Sequence, residues 1–292
     1  MATWVQLLVT GITVGSIYSL IALGYVTIYR TSRIVNMVQG SFVMFGTFFA
    51  YTFLTILGLP FWLSAILALA GVAVLSIGIY LVVLRPLVKV SLVSIILATM
   101  ALSILFENVT LRLWGGFGKS VPSFSGDQAI IIKGVAVFRQ SLWVIGLTVL
   151  ILIGLYALTS FTRTGKQMTA TSNDPSAASL SGIRTGRMIV LAFVLSAVVG
   201  GLGGMSISSI TATSYTSGGI YALSGFVAAI LGGWGSVSGA VVGGLALGIV
   251  QSFVSGVLPA GYQDAVSYAL LILVLYFRPS GLLGVPSSEG EA

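Results

Sequence analysis

Long uninterrupted apolar runs constrain the fold of this chain more than any other feature of its sequence. They recur along all 292 residues, of which only 7% are charged, whereas a soluble domain usually has about 25% charged residues. A helix needs about 20 apolar residues to cross a bilayer, and a membrane β-strand needs about 10 of alternating polarity. The sequence therefore predicts an all-α, polytopic membrane helical bundle with about eight spans.

No polar connection is large enough to fold by itself outside the membrane, so the sequence predicts a single transmembrane domain over residues 1–292. Residues 223–257 are long enough for one long span or two short ones, and glycines interrupt them at residues 232–235. We expect the chain to enter the membrane here, break at the glycines and return, because broken helices are typical of transport sites. The alternative is that the glycines only allow close helix packing. The other apolar runs are residues 5–28, 37–57, 61–84, 92–109, 141–161, 188–210 and 263–277.

Basic residues occupy alternate connections between the runs. Lys and Arg favour the cytoplasmic side of a membrane, so we expect an outer N-terminus and a cytoplasmic C-terminus. The basic residues behind the net charge of +7 lie between hydrophobic runs, so they indicate membrane orientation rather than nucleic-acid binding. An outer segment, residues 112–140, is the exception because it mixes basic residues with Asp127. The expected cytoplasmic basic residues are Arg30, Arg33, Arg85, Lys89, Arg163, Lys166, Arg184, Arg187 and Arg278.

The residue types in the chain exclude most catalytic chemistry. The sequence contains no Cys and no His, which removes disulfides, thiol catalysis and most zinc sites. It also lacks a phosphate-binding loop that ends in Lys-Ser or Lys-Thr. Glu107 and Asp264 fall at the expected outer ends of spans, where we expect them to stay hydrated, so proton- or sodium-driven transport has no evident carrier. We therefore expect no enzyme activity, catalytic residue, metal or cofactor in this chain.

The polar residues 162–187 carry the start and stop signals of a short helix. Asn173 or Asp174 can cap a helix whose first residue is Pro175, and Gly182 can end it. Small residues between these signals allow another surface to approach closely. We expect a helix on the cytoplasmic face that docks a partner; the alternative is a solvated connecting loop.

This segment resembles the ATPase-coupling loop of the ABC permeases that import branched-chain amino acids in bacteria and archaea. Residues 228–236, with Gly239 and Gly243-Gly244, resemble the glycine signature of the same family. Residues 11–29, Asn36 with Gly40 and Gly46, and residues 270–284 also fit. The absence of extra N-terminal spans matches the shorter of its two permease types. The resemblance implies that the ATPase-coupling residues are Gly165, Lys166, Met168, Ala170, Pro175, Ala177, Ala178, Leu180, Gly182 and Ile183.

The resemblance also implies partners and a transport path. An importer of this family pairs two permease subunits in the bacterial or archaeal cell (inner) membrane with two cytoplasmic ABC ATPases and an extracytoplasmic substrate-binding protein. ATP and Mg would be bound by the ATPases, whose closure would push on residues 175–182. The outer segment is the place where we expect the binding protein to dock. The residues expected to line or hinge the path are Asn36, Gly40, Gly46, Gly232, Gly233, Gly235, Ser236 and Gly239.

Three positions depart from the family pattern. Gln39 stands where the family usually has His, a change that would affect substrate choice, while Thr169 replaces an Arg and Ser176 an acidic residue in the coupling segment. Leucine, isoleucine and valine are the family's usual substrates, and urea or short amides are the alternative. Composition alone also permits a secondary transporter, a channel that does not use ATP, or a scaffold or sensor subunit.

Residues 15–20 and 218–223 resemble each other, which is compatible with a duplicated unit or with chance similarity between apolar segments.

Overall fold

The structure of the chain is a computed structural model that describes residues 2–87, 91–123, 126, 129–132, 135–259 and 262–284. Lys89, Asp127 and Lys133 lie outside the described residues, together with other parts of the outer segment. The side chain of Asp264 lies outside them as well, so its expected hydration is not addressed.

Helices make up almost all of the described chain. The first part contains α1 Ala2–Ser32, α2 Gln39–Tyr51, α3 Phe61–Ile79, α4 Arg85–Leu87 and α5 Leu92–Trp114. An antiparallel hairpin of β1 Ala129–Ile132 and β2 Val135–Phe138 follows. The remaining helices are α6 Arg139–Phe161, α7 Arg163–Asn173, α8 Pro175–Leu180, α9 Thr185–Ser208, α10 Ser217–Gly232, α11 Val237–Val257 and α12 Tyr262–Phe277. The π-helical turns Thr52–Ile56 and Tyr80–Leu84 extend α2 and α3.

Seven of the described helices are long and apolar enough to cross a bilayer. These are α1, α2 with its π-helical turn, α3 continued through α4, α5, α6, α9 and α11. Helix α10 and residues 265–277 of α12 are shorter apolar helices. The expected polytopic helical bundle is therefore confirmed.

Helices α5 and α10 each extend more than one turn beyond the apolar run that indicated them. Helix α5 continues past Val109 to Trp114, whose indole nitrogen donates to the Thr52 hydroxyl over 2.7 Å and whose ring packs against Phe48. Helix α10 begins at Ser217 rather than at the expected Leu223, and the N–H of Gly219 in its first turn donates to Glu107. In both cases the additional turn contacts another helix.

Helix α1 is the buried centre of the bundle and packs closely along α11. Gly15 makes this approach possible, because a Cβ added there would lie 2.8 Å from the Cα of Leu245. Gly244 and Gly248 face α1 from the other side, and a Cβ on either would overlap the α1 backbone at Ser19 or Gly15. Small residues at membrane helix interfaces allow this close backbone packing and the dispersion contacts that come with it.

Helices α1 and α2 pack against α10 and α11. Helix α1 contacts α11, while α2 contacts α10, where a Cβ on Gly40 would overlap the carbonyl oxygen of Gly218. The similar segments 15–20 and 218–223 lie in α1 and α10, which also contact each other.

The described residues of the outer segment are attached to the bundle. Lys119 pairs with Thr213 through two backbone hydrogen bonds of 2.9 and 2.8 Å, and the adjacent Val121 is buried. The side chain of Gln6 in α1 exchanges two 2.9 Å hydrogen bonds with the backbone of Ala136 in β2. These contacts hold the described parts of the outer segment against α1 and the connection between α9 and α10.

Candidate transport path and coupling surface

The α1–α2 turn, α7 and the α10–α11 turn meet at one end of the bundle, which we call the basic end. A cleft of about 820 Å³ lies between them and is lined by Arg30, Arg33, Thr169 and Trp234, among others. A smaller pocket brings Gly165 and Met168 of α7 close to Val237 at the start of α11. The structure therefore places α7, in the segment expected to couple to an ATPase, beside the glycine-rich break, although the two are far apart in sequence.

Helix α8 has the start and stop that the sequence indicates. Asp174 caps it, because its Oδ1 accepts from the backbone N–H groups of Ser176 at 2.8 Å and Ala177 at 3.0 Å. Pro175 occupies the first helical position, where no N–H is needed. Gly182 ends the turn with φ +82°, a conformation that glycine adopts without steric cost. Of the two caps considered, the structure selects Asp174.

Helix α7 was not predicted from the sequence, where residues 162–173 are polar and contain several residues of low helix propensity. Thr162 caps it by accepting from the Gly165 N–H at 3.0 Å. Gly165 lies directly on the end of α6, where a Cβ would overlap the carbonyl oxygen of Leu158. Met168 and Thr171 are buried on the next turn. A glycine, a methionine and a threonine at spacings of three were the available signal for this helix.

The expected coupling residues divide into an anchoring set and an exposed set. Gly165, Met168 and Ala178 are buried against the bundle. Ala177 is exposed on α8, and the side chain of Leu180 is 90% exposed. Small and apolar residues on a rigid exposed helix form a surface onto which another protein can pack closely. The other expected members are Lys166, Pro175 and Gly182, which are exposed, and Ala170 and Ile183, which are half-buried.

The glycine-rich break is a tight turn between two antiparallel helices. Gly233 and Gly235 have φ angles of +112° and +88°, which side chains larger than glycine rarely adopt. Ser236 then caps α11 by accepting from the Gly239 N–H at 3.0 Å. Gly232 and Gly239 face each other, and a Cβ on either would overlap the other's carbonyl oxygen. The chain therefore turns at these glycines, where the sequence predicts a break, and the expected entry into the membrane and return stay a prediction.

The C-terminal signature, residues 278–284, docks on this break. The N–H groups of Leu282 and Leu283 each donate over 2.9 Å, to the carbonyl oxygens of Leu231 and Gly232. These two acceptors are among the last carbonyls of α10, which have no partner within the helix. Gly281 has φ +78° and touches Gly233. Nothing in the sequence pairs the two signatures, because each is a glycine-containing turn without a recognisable partner.

Asn36 and Gln39 are both fully buried where α1 turns into α2. The Asn36 Oδ1 accepts from the Val38 N–H at 3.2 Å, while its Nδ2 has no partner among the described residues. The Gln39 Oε1 lies 2.5 Å from the hydroxyl of Ser196, which also lies 2.8 Å from the Gly24 carbonyl oxygen. Gln39, which stands where the resembled family has His, therefore joins α1, α2 and α9.

Most of the residues expected to line or hinge the path contact other helices in this conformation. Gly40 touches α10, and a Cβ on Gly46 would overlap the backbone of Gly201 in α9. Gly235 and Ser236 line the cleft at the basic end. Gly40 and Gly46 therefore have the geometry of close helix packing, and Gly235 and Ser236 form part of a turn. The assignment of these residues to a substrate path stays a prediction.

The opposite end of the bundle contains Glu107 and an apolar cavity. Glu107 is half-buried and its Oε1 accepts from the Gly219 N–H at 2.9 Å, which satisfies a donor in the first turn of α10. The sequence analysis expected Glu107 to stay hydrated and did not predict this hydrogen bond with Gly219. A cavity of about 340 Å³ lies between α2, α3, α6 and α9, and Trp62 and Trp143 are among its lining residues.

A bundle of apolar helices, seven of which are long enough in the described residues to cross a bilayer, identifies a multi-pass membrane protein. The chain belongs to the family described as branched-chain amino acid transport system, permease component, which matches residues 7–275.

Two curated relatives cover nearly the whole chain. The high-affinity branched-chain amino acid transport system permease protein BraD of Pseudomonas aeruginosa is 32% identical over 302 residues, which span 98% of this chain and 97% of BraD. The corresponding protein LivH of Escherichia coli is 30% identical over 301 residues, with coverages of 98% and 97%. Among solved structures, PsaBC from Streptococcus pneumoniae in complex with a Fab is 17% identical over 96% of this chain and 91% of that one, with a TM-score of 0.47.

Proposed function

We propose that this chain is the transmembrane permease subunit of an ATP-driven importer of amino acids, with branched-chain amino acids as its substrates. The observation that carries the proposal is the relationship to BraD and LivH over 98% of the chain, because both are named as permeases for these substrates. The 340 Å³ cavity with tryptophans in its apolar wall is compatible with an aliphatic side chain. The chain itself provides a path and no catalytic group.

The basic end is the cytoplasmic end in this proposal, and α8 is the helix on which an ATPase acts. The concentration of Arg and Lys at this end supports the assignment. Helix α8 follows α7 directly through Asp174, and α7 lies on α6 at Gly165. A push on α8 would therefore move α7 against α6 and the nearby α10–α11 turn. Such small sliding movements of packed helices are one route by which a local contact changes a whole bundle.

The partners of the complex follow from the same proposal. A second permease subunit would pair with this one in a bacterial or archaeal cell membrane, and two cytoplasmic ABC ATPases would bind ATP and Mg. An extracytoplasmic binding protein would deliver the substrate to residues 112–140, at the opposite end of the bundle. Deleting part of that segment should abolish uptake and leave ATPase binding intact, and uptake that survives the deletion would refute this role.

A binding experiment on α8 tests the coupling assignment. Ala177 is exposed, so Ala177→Arg should leave the fold unchanged and add a bulky charge where a partner packs closely. Ala177→Ser at the same position is the matched control, because it adds one small atom. We expect the detergent-solubilised wild type and the serine variant to retain neighbouring ATPases in a pull-down, and the arginine variant to lose them at least tenfold. Wild type that retains no ATPase would contradict the proposed mechanism.

An uptake experiment tests the substrate separately. The complete complex in proteoliposomes should accumulate labelled leucine when ATP is present on the ATPase side, and excess isoleucine or valine should compete. Omitting ATP should reduce accumulation to the level of empty vesicles. If urea reduces the uptake of labelled leucine and valine does not, the substrate belongs to the urea and amide class instead. Accumulation without ATP would instead indicate a secondary transporter.

A further inference from the structure

The cleft of about 820 Å³ at the basic end has one polar wall and one apolar wall. The polar wall combines Arg30 and Arg33 at the end of α1 with the α10–α11 turn and α7. The apolar wall is formed by Leu152, Ile153 and Tyr156 of α6. An occupant that satisfies both walls has an anionic group attached to an aliphatic part.

The two arginines give the polar wall its charge. Arg30 is half-buried and Arg33 is exposed, and the lining that the structure describes contains no carboxylate to neutralise them. The Arg33 guanidinium lies 5.4 Å from the centre of the Tyr29 ring, which orients it without neutralising its charge. Buried or half-buried guanidinium groups are the side chains that bind phosphate best, because their planar donors match its oxygens.

The backbone of Arg33 gives a second reason to assign it a role. Its φ is +58°, and within the described part of the chain it is the only residue other than glycine in the left-handed region. This position follows the last residue of α1, where glycine is the usual residue because it avoids the steric cost. An unfavourable backbone conformation at an exposed residue points to a use for its side chain.

The start of α11 adds further attraction for an anion. Ser236 and Ser238 line the cleft, and α11 continues for 21 residues from Val237. The amide groups at the N-terminus of a helix of this length provide a partial positive charge that favours negative groups. Arginines, hydroxyl groups and a helix start therefore face one space.

The apolar wall is exposed on the outside of the bundle. Ile153 and Tyr156 are 60% and 57% exposed, and they continue the outward-facing side of α6 that includes Leu150. Trp234 and Tyr29 also line the cleft, and amphipathic aromatic rings favour the level of the lipid headgroups. A free phosphate ion would leave this wall unused, and an acidic segment of a soluble partner would have to reach past it.

We propose that this cleft binds an anionic phospholipid, with Arg30 and Arg33 against the phosphate and the exposed face of α6 along an acyl chain. The inference does not depend on the proposed transport function. Because Thr169 of α7 also lines the cleft, a bound lipid contacts the element that supports the coupling surface.

Thermal unfolding of the full chain in an uncharged detergent tests the proposal. Short-chain phosphatidylglycerol should raise the unfolding midpoint saturably, whereas phosphatidylcholine of the same chain length and inorganic phosphate should not. Arg30→Gln and Arg33→Gln should each weaken the apparent affinity for phosphatidylglycerol about fivefold, the effect expected for one basic group near a lipid headgroup. Arg187→Gln is the matched control, since Arg187 is exposed outside the lining of the cleft.

Arg33→Gly separates loss of binding from loss of folding. It removes the guanidinium and relieves the left-handed backbone, so the lipid-free midpoint should rise while the response to phosphatidylglycerol weakens about fivefold. Equal weakening in Arg187→Gln would overturn the proposal in favour of general surface attraction. Stabilisation by inorganic phosphate as strong as that by phosphatidylglycerol would overturn it in favour of a free-anion site. An unchanged response in Arg30→Gln and Arg33→Gln would also overturn it.

Discussion

At the scale of single residues, buried polar side chains connect helices that apolar packing alone would hold loosely. Helices in a lipid environment gain little from burying apolar surface, so hydrogen bonds and close packing determine how they associate. Gln39 and Ser196 illustrate this point, because their contacts join three helices at one place. Glu107 does the same between α5 and α10. Both contacts are invisible in the sequence, where the residues look like isolated polar positions.

Ser196→Ala should reveal the strength of the first connection. The change removes the hydroxyl beside Gln39 Oε1 and leaves that buried oxygen without this donor, so we expect the free energy of unfolding to fall by about 1 kcal/mol. The measurement is denaturant unfolding in mixed micelles. Ser208→Ala is the matched control, because Ser208 is equally buried on α9 and its hydroxyl donates only to Met205 of the same helix. Equal losses in the two variants would contradict an inter-helix role.

At the scale of helices, α7 and α8 show how a polar connection acquires a defined shape. Helix α8 has only six residues, too few to be stable alone, so its cap and its neighbours determine whether it forms. Helix α7 is amphipathic and places one side on the bundle through Gly165 and Met168. The result is a short exposed helix held at a fixed place by a second helix that the sequence analysis did not find.

Asp174→Ala should loosen α8 without unfolding the bundle. Loss of the side-chain cap costs about 1 kcal/mol, which corresponds to roughly fivefold faster hydrogen exchange at the amides of Ser176 and Ala177. Asp174→Asn keeps a capping oxygen and should exchange at close to the wild-type rate. Hydrogen exchange read by mass spectrometry on the 170–184 peptide provides the measurement. If the asparagine variant exchanges as fast as the alanine variant, the charge matters and the cap does not.

At the scale of the whole molecule, two sets of contacts organise the bundle. Helices α1 and α2 pack against α11 and α10, and the chain end packs on the turn between α10 and α11. The backbones of α1 and α11 touch through glycines, as do those of α2 and α10. Residues 281–284 then cover the α10–α11 turn by supplying donors to Leu231 and Gly232. The position of the turn beside the coupling segment therefore depends on residues from the beginning, the middle and the end of the described chain.

Gly281→Ala tests whether this docking stabilises the molecule. Both Gly281 and Gly58 have left-handed backbones, but an added Cβ would lie 2.6 Å from the Gly233 backbone at Gly281 and would meet nothing within 4 Å at Gly58. Gly58→Ala should therefore cost about 1 kcal/mol, the price of the backbone conformation alone. Gly281→Ala should cost more than twice as much and expose residues 278–284 to proteases. Equal costs would show that the docked segment adds no stability.

The sequence by itself determined the class of the fold, the approximate spans and the start and end of α8. These depend on local physics: a span needs only a sufficient number of consecutive apolar residues, and α8 needs only Asp174, Pro175 and Gly182 in order. Local patterns also placed the break between α10 and α11, where Gly232 and Gly233 are followed closely by Gly235 and by the helix-capping Ser236.

Only the tertiary structure decided which segments meet. The pairing of residues 281–284 with the break, the contact of Gln39 with Ser196 and the cleft between Arg30, Arg33 and α6 all join residues distant in sequence. A hydrogen-bond donor or a glycine surface has many possible partners of equal chemistry, so the sequence leaves the choice open. The packing of the complete bundle makes that choice, because it brings one of those partners within reach and keeps the others away.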